Sequence, residues 1–194
     1  MRIFLGIFPP SEVYGRFFAD VFKFLDKQKR NLDFFSLEQI HLNIKFIGAN
    51  VSESSYKTVI DFLKQFEGQY TKPEIKIKRV QFGFDHQLNP NYIVADVEES
   101  DSLLQLSEEI HKLIKYLKLK DTILWKEKHS NKFHISLARK KKDKNTALNR
   151  QLKELMKNFS LPMPDPFQAD SLYVVQSILT NKKPVYKRRD RILL

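Results

Sequence analysis

Apolar positions along this chain recur in two rhythms, and the switches between them outline its elements. Residues 2–8 alternate about Ile3, Leu5 and Ile7, the period of a β-strand. Pro9-Pro10-Ser11-Glu12 then opens a helix in which Val13, Phe17, Val21, Phe24 and Leu25 recur at helical spacing. Residues 40–47 read as a second strand. A Ser-rich loop leads from it into a helix over 53–67 that gathers Tyr56, Val59, Ile60, Leu63 and Phe66 on one face and closes at Gly68.

From Pro73 the rhythm returns to two. Ile75, Ile77 and Val80 alternate with Lys76 and Lys78, and residues 91–97 supply an antiparallel partner. Asp101 caps a helix carrying Leu104, Ile110, Leu113, Ile114 and Leu117. Residues 133–139 form another apolar strand, a charged helix follows over 145–158, and the chain ends in a hairpin of 170–179 against 184–194 turning at Thr180-Asn-Lys-Lys183. Hairpins mixed with helices, without a βαβ repeat or a glycine-rich phosphate loop, predict an α+β fold with mostly antiparallel sheets.

Composition narrows this picture. A chain of 194 residues, 42% hydrophobic and with sixteen Phe, has material for one domain with a full core. The absence of cysteine excludes disulfides, thiolate metal sites and a cysteine nucleophile, and agrees with a reducing, cytoplasmic setting. The N-terminal apolar run is short and ends in Pro-Pro, so it reads as a strand rather than a signal peptide. No window approaches the roughly 18 apolar residues of a membrane span. A net charge of +11, clustered at 27–30, 76–79, 139–144 and 187–191, points to a phosphate-rich partner as much as to a solvated surface.

The chemistry lies in two strands about half the chain apart. "HLNIKFIG" begins at His41 and "HISLAR" at His134, each giving histidine, apolar, small polar, apolar. On a strand His41 and Asn43 project together while Leu42 and Ile44 face the core, and His134 and Ser136 do likewise, backed by Ile135 and Leu137. One such motif is weak, since His129-Ser130-Asn131 nearly repeats it in a polar loop. Two on anchored strands are a different matter. Two imidazoles can divide acid and base duties near neutral pH, while Asn and Ser donate to phosphate oxygens, and displacement at phosphorus needs no metal for that. Arg139 and Lys45 are candidate substrate contacts. Counting by twos puts Lys45 on the face of His41, at a cleft rim, and Arg139 opposite His134 unless a bulge brings it round. His86, His111, His129 and Trp125 lack such a setting.

At these residues the chain resembles the two-histidine (2H) phosphoesterases, in particular the RNA 2′,3′-cyclic phosphodiesterases, also called 2′-5′ RNA ligases. The family motif is His-x-Thr/Ser-x, twice. The opening "MRIFLGIFPP", the lead-in "FFSLEQIHLNIKFIG" and the terminal "SLYVVQSILTNKKPVYKRRDRILL" carry the likeness along nearly the whole chain. The resemblance implies a bilobal LigT-like fold: a single domain over 1–194 of two pseudo-symmetric lobes, with two antiparallel sheets lining a central cleft, helices outside and one motif strand per lobe. It implies hydrolysis of a terminal 2′,3′-cyclic phosphate of RNA to a 2′-phosphate, possible in reverse as 2′-5′ ligation, with no cofactor and no metal. His134 would be the general base, His41 the general acid, and Asn43 and Ser136 the phosphate contacts. RNA with a cyclic end, such as tRNA halves or other short RNAs, would be the partner of a monomer without membrane association. Asn43 stands where the family has Thr or Ser and Phe133 where proline is common; Asn43 leaves a non-catalytic RNA-binding role open, and the motifs do not separate the RNA activity from one on a smaller cyclic nucleotide or a 2′-5′ oligonucleotide.

Overall fold

A computed structural model describes residues 1–84, 87, 89–121, 133–141, 146–180 and 184–194. His86, Trp125, His129 with its two neighbours, most of the basic run beyond Lys141 and the last three residues of the expected C-terminal turn lie outside the described residues.

The order is β1 (Ile3–Ile7), α1 (Ser11–Phe24), β2 (Leu32–Phe34), β3 (Leu42–Gly48), α2 (Glu53–Lys64), β4 (Glu74–Ile75), β5 (Ile77–Phe82), β6 (Tyr92–Val97), α3 (Asp101–Leu117), β7 (His134–Lys140), α4 (Thr146–Lys157), β8 (Phe167–Gln168), β9 (Ser171–Ile178) and β10 (Val185–Leu193). The strands run β10-β9-β1-β3-β7-β6-β5, all antiparallel, with β2 beside β7. β4 and β8 pair separately. The two antiparallel halves, β10-β9-β1-β3 and β7-β6-β5, are joined through one residue pair, Leu42 with Ile135.

One face of this sheet is the core. Ile3, Leu5, Ile7, Leu42, Ile93, Ala95, Ile135 and Val174 pack there against Phe17, Phe18 and Val21 of α1, Val59 and Leu63 of α2, Leu106 and Ile110 of α3, and Leu152 of α4. Phe4, Val94 and Val175 are also buried but stand apart from that core, because they alternate onto the opposite face. That second face carries both histidines.

The pattern-based boundaries shift at two ends for local reasons. Ser100, not Asp101, caps α3, since its hydroxyl accepts from the Leu103 N–H at 3.2 Å and leaves Asp101 to meet the helix dipole. α2 stops at Lys64 rather than 67. Gly68 follows after a further turn with φ 76°, where its N–H donates to the Leu193 carbonyl at 3.1 Å. β2 and β8 are too short for any periodicity to reveal. Among the described residues no helix is long and apolar enough to cross a membrane.

Candidate active site at the junction of the two half-sheets

The joining pair determines what the cleft face presents. Leu42 and Ile135 are both 0% exposed and point into the core, so their neighbours point out of it. Stepping along antiparallel strands from this pair sets Ser136 beside His41 and Asn43 beside His134. The imidazoles therefore occupy one diagonal of a four-residue square and the polar donors the other. Such a diagonal spans about 7–8 Å between the two strand positions. His41 and His134 are half-buried, as is Ser136, while Asn43 is exposed.

His41 is held tightly. Its Nδ1 lies 2.7 Å from the Gln39 carbonyl, which only accepts, so Nδ1 carries the proton and Nε2 is left to act. Phe4 stacks on the ring at 4.6 Å, Tyr186 meets it edge-on at 4.7 Å and Phe8 leans in at 5.5 Å. Burial among these rings pushes the His41 pKa down to about 4. The Gln39 carbonyl works against that shift, and the nearby charges of His134 and Arg188 add to it. His134 meets Phe84 edge-on at 5.0 Å and sits opposite Asp96, whose carboxylate accepts from Arg79 Nε at 3.2 Å and Gln81 Nε2 at 3.5 Å.

A depressed histidine pKa has a consequence for stability. Between the unfolded value of 6.5 and about 4 the unfolded chain binds the proton that the folded chain refuses, so stability falls as pH drops through that window. The loss by pH 4.5 should reach about 2–3 kcal/mol. Urea titrations of the protein and of His41→Gln at pH 7 and pH 4.5 check this. The parent should lose more stability by that amount, and equal losses would mean that His41 titrates normally.

Two bulges decide which further residues face the cleft. Gly6 pairs with Asn43 and Leu5 with Lys45, skipping Ile44. Lys45 thus turns to the side of Leu5 and is 2% exposed, while Phe46, opposite Phe4, takes the cleft face. This corrects the expectation for Lys45, which is neither on the face of His41 nor solvated at a rim. In β7 the equivalent bulge falls at Leu137, skipped between Ser136, opposite Val94, and Ala138, opposite Ile93. Arg139 then pairs with Tyr92 and comes round to the face of His134 and Ser136. Its guanidinium lies 5.9 Å from the Tyr92 ring, as that of Arg2 lies 4.5 Å from Phe46 in the other half. Both arginines are felt at Tyr186, where they oppose the upward pull of burial on the phenol pKa. Arg2 and Arg139 therefore converge on one cleft.

Phe4, Phe8, Tyr173, Tyr186 and Arg188, which crowd around His41, carry no motif. One signal does exist: in "IFLGIF" Phe4, Gly6 and Phe8 alternate with the core-facing Ile3, Leu5 and Ile7, so the segment carries apolar residues on both faces.

No protein-family model matches the chain, and no curated protein matches it by sequence. Solved structures do match. TT0787 of Thermus thermophilus superposes with a TM-score of 0.76 at 20% identity, over 100% of this chain and 98% of that one. E. coli LigT complexed with 3′-AMP gives a TM-score of 0.65 at 14% identity, over 100% and 97%. The chain has the LigT fold. Usb1 of Kluyveromyces marxianus shares it at a TM-score of 0.55 and 12% identity, over 97% of each chain. In this LigT fold the helices pack on one face of the sheet, and β3, directly after His41, meets β7, which begins at His134, at the Leu42–Ile135 pair.

Proposed function

We propose that the protein is a phosphodiesterase that opens RNA ends bearing a 2′,3′-cyclic phosphate to 2′-phosphates. The observation that carries this reading is the crossed square: two imidazoles on one diagonal and two hydrogen-bond donors on the other, across the Leu42–Ile135 pair. LigT, of the same fold, has been solved with 3′-AMP and with phosphate. We read the two half-sheets as two lobes of one domain, each contributing one histidine, with Asn43 and Ser136 donating to the non-bridging oxygens.

In the reaction His134 takes a proton from water as the water oxygen bonds to phosphorus. The bond from phosphorus to O3′ breaks, and His41 Nε2–H delivers a proton to O3′. Ligation to a 5′-hydroxyl follows the same path with that hydroxyl in place of water. His41 rests neutral, so its role as donor requires it to take up a proton from solvent as the phosphate binds. A phosphodiester anion set against the ring restores the charged imidazolium that burial disfavours.

Arg139, on the cleft face, serves the phosphate or the chain leading to it. The basic clusters contribute less than their charge suggests. Lys76, Arg189 and Arg191 lie against Glu98, Glu53 and Asp170 at 2.9, 3.7 and 3.6 Å, whereas Arg2, Arg139 and Arg188 lie over aromatic rings near the site.

The test is to offer the purified protein, with EDTA present, an oligoribonucleotide ending in a cyclic phosphate and to identify the product. A 2′-phosphate end is expected, and unchanged cyclic ends from pH 5 to 8 would refute the reading. Asn43 favours one rival, an RNA-binding protein without turnover, because its amide reaches further than the Thr or Ser hydroxyl of the 2H motif. Asn43→Thr is expected to raise kcat about tenfold by drawing the donor back to phosphate distance. Tight binding with no turnover in either form would favour the rival.

A further inference from the structure

A cavity of about 590 Å³ opens between the start of α1, the Leu37–Gln39 turn and the C-terminal hairpin, and is lined by Phe8, which packs on His41, and by Ile40, which precedes it. We propose that this cavity receives the nucleobase of the nucleotide whose phosphate lies between the histidines, stacked on the Arg188 guanidinium. The inference rests on the reading of the site as a phosphodiesterase for nucleotide ends and names the part of that substrate the chemistry does not touch.

Three features converge. First, Arg188 is an exposed arginine that is nevertheless fixed in place. Its Cζ lies 3.8 Å from the Phe8 ring centroid and 5.2 Å from that of Tyr173, and Nη2 donates to the Glu38 carbonyl at 3.4 Å. A guanidinium braced on an aromatic ring is a preorganised plate, and base stacking on arginine planes and aromatic rings is how proteins grip unpaired nucleotides. Second, the apolar wall has an exposed lip. Leu37 keeps 44% of its surface open at this cavity. Third, the cavity and the catalytic ring share their supports. Phe8 contacts His41 and carries Arg188, and the turn that offers Leu37 also supplies the Gln39 carbonyl to His41 Nδ1. A ribose whose O3′ meets His41 thus has its base within reach of this cavity.

The test compares adenosine 2′,3′-cyclic phosphate with ribose 2,3-cyclic phosphate, which lacks the base, using the protein, Arg188→Ala, Arg188→Lys and Leu37→Ala. The ratio of kcat/KM for the nucleoside to that for the abasic compound should fall about tenfold or more in Arg188→Ala, nearly as far in Arg188→Lys, and several-fold in Leu37→Ala. Lysine keeps the charge and loses the plane. Equal losses on both substrates, with rescue by lysine, would make Arg188 a phosphate contact and overturn the proposal, as would an unchanged ratio. Binding separates this inference from the reading beneath it. If no substrate turns over but Arg188→Ala weakens adenosine 3′-monophosphate in calorimetry without weakening inorganic phosphate, the nucleobase pocket stands while the phosphodiesterase reading falls.

Discussion

Alanine at His41 or at His134 is expected to lower turnover of a cyclic-ended oligoribonucleotide on the order of 100-fold or more, and sulfur in place of the bridging 3′ oxygen should restore the His41 variant alone. The two losses look alike with an oxygen leaving group, because each removes one of two proton transfers. A thiolate, by contrast, leaves without a proton, so the acid becomes dispensable while the base does not. Rescue of His41→Ala but not His134→Ala supports the roles given above. Rescue of His134→Ala instead would exchange them, which the resting neutrality of His41 makes chemically reasonable. Full activity of either variant on the natural oxygen compound would remove the site altogether. The His41 substitution is also informative about folding, since its ring fills space among Phe4, Phe8 and Tyr186. Circular dichroism of the variant therefore belongs beside the kinetics.

Gly6→Val is expected to be the most damaging single change outside the histidines. Gly6 pairs with Asn43 on the cleft face, and a Cβ there would lie 3.1 Å from the Leu42 carbonyl oxygen, 3.2 Å from Phe4 Cε2 and 3.5 Å from His41 Cδ2. The first contact is backbone and cannot move without disturbing the ladder that carries His41. The other two belong to the stacked pair that fixes its ring. Valine adds two further carbons to that crowding, costing about 1–3 kcal/mol of stability. A displaced imidazole should cost tenfold or more in kcat. Gly15 supplies the control for glycine replacement as such. It lies within α1 with nothing within 4 Å of an added Cβ, so Gly15→Ala should raise stability by about 0.4–1 kcal/mol in the same denaturation assay. Wild-type kcat in Gly6→Val would show that the ring does not depend on this close approach.

The histidine strands were legible because their signal is local: a core-facing Leu42 or Ile135 directly after each histidine fixes which way the imidazole points. The terminal hairpin and the pairing of β5 with β6 were legible by the same alternation. Lys45 and Arg139 show where it stops. Both lie beyond a bulge, and one skipped residue moves everything after it to the other face. No period in the sequence announces a bulge, so the count that served for His41 and Asn43 failed two residues later. The aromatic surround of His41 was illegible for another reason. Phe4 and Phe8 come from β1 and the residues just after it, Tyr186 from β10, and only the tertiary order of strands brings them to β3.

The single pair that joins the half-sheets also has a mechanical meaning. Were the halves to move against each other, Leu42 and Ile135 would be the pivot, with each histidine one residue from it. If the halves swing by about 10°, a residue one strand position from the axis, about 3.3 Å away, moves about 0.6 Å, whereas one six positions out, about 20 Å away, moves about 3.5 Å. Such a swing would widen the rims and leave the gap between the two imidazoles nearly unchanged. Groups at a fulcrum keep their spacing through any such movement, whatever the rims do.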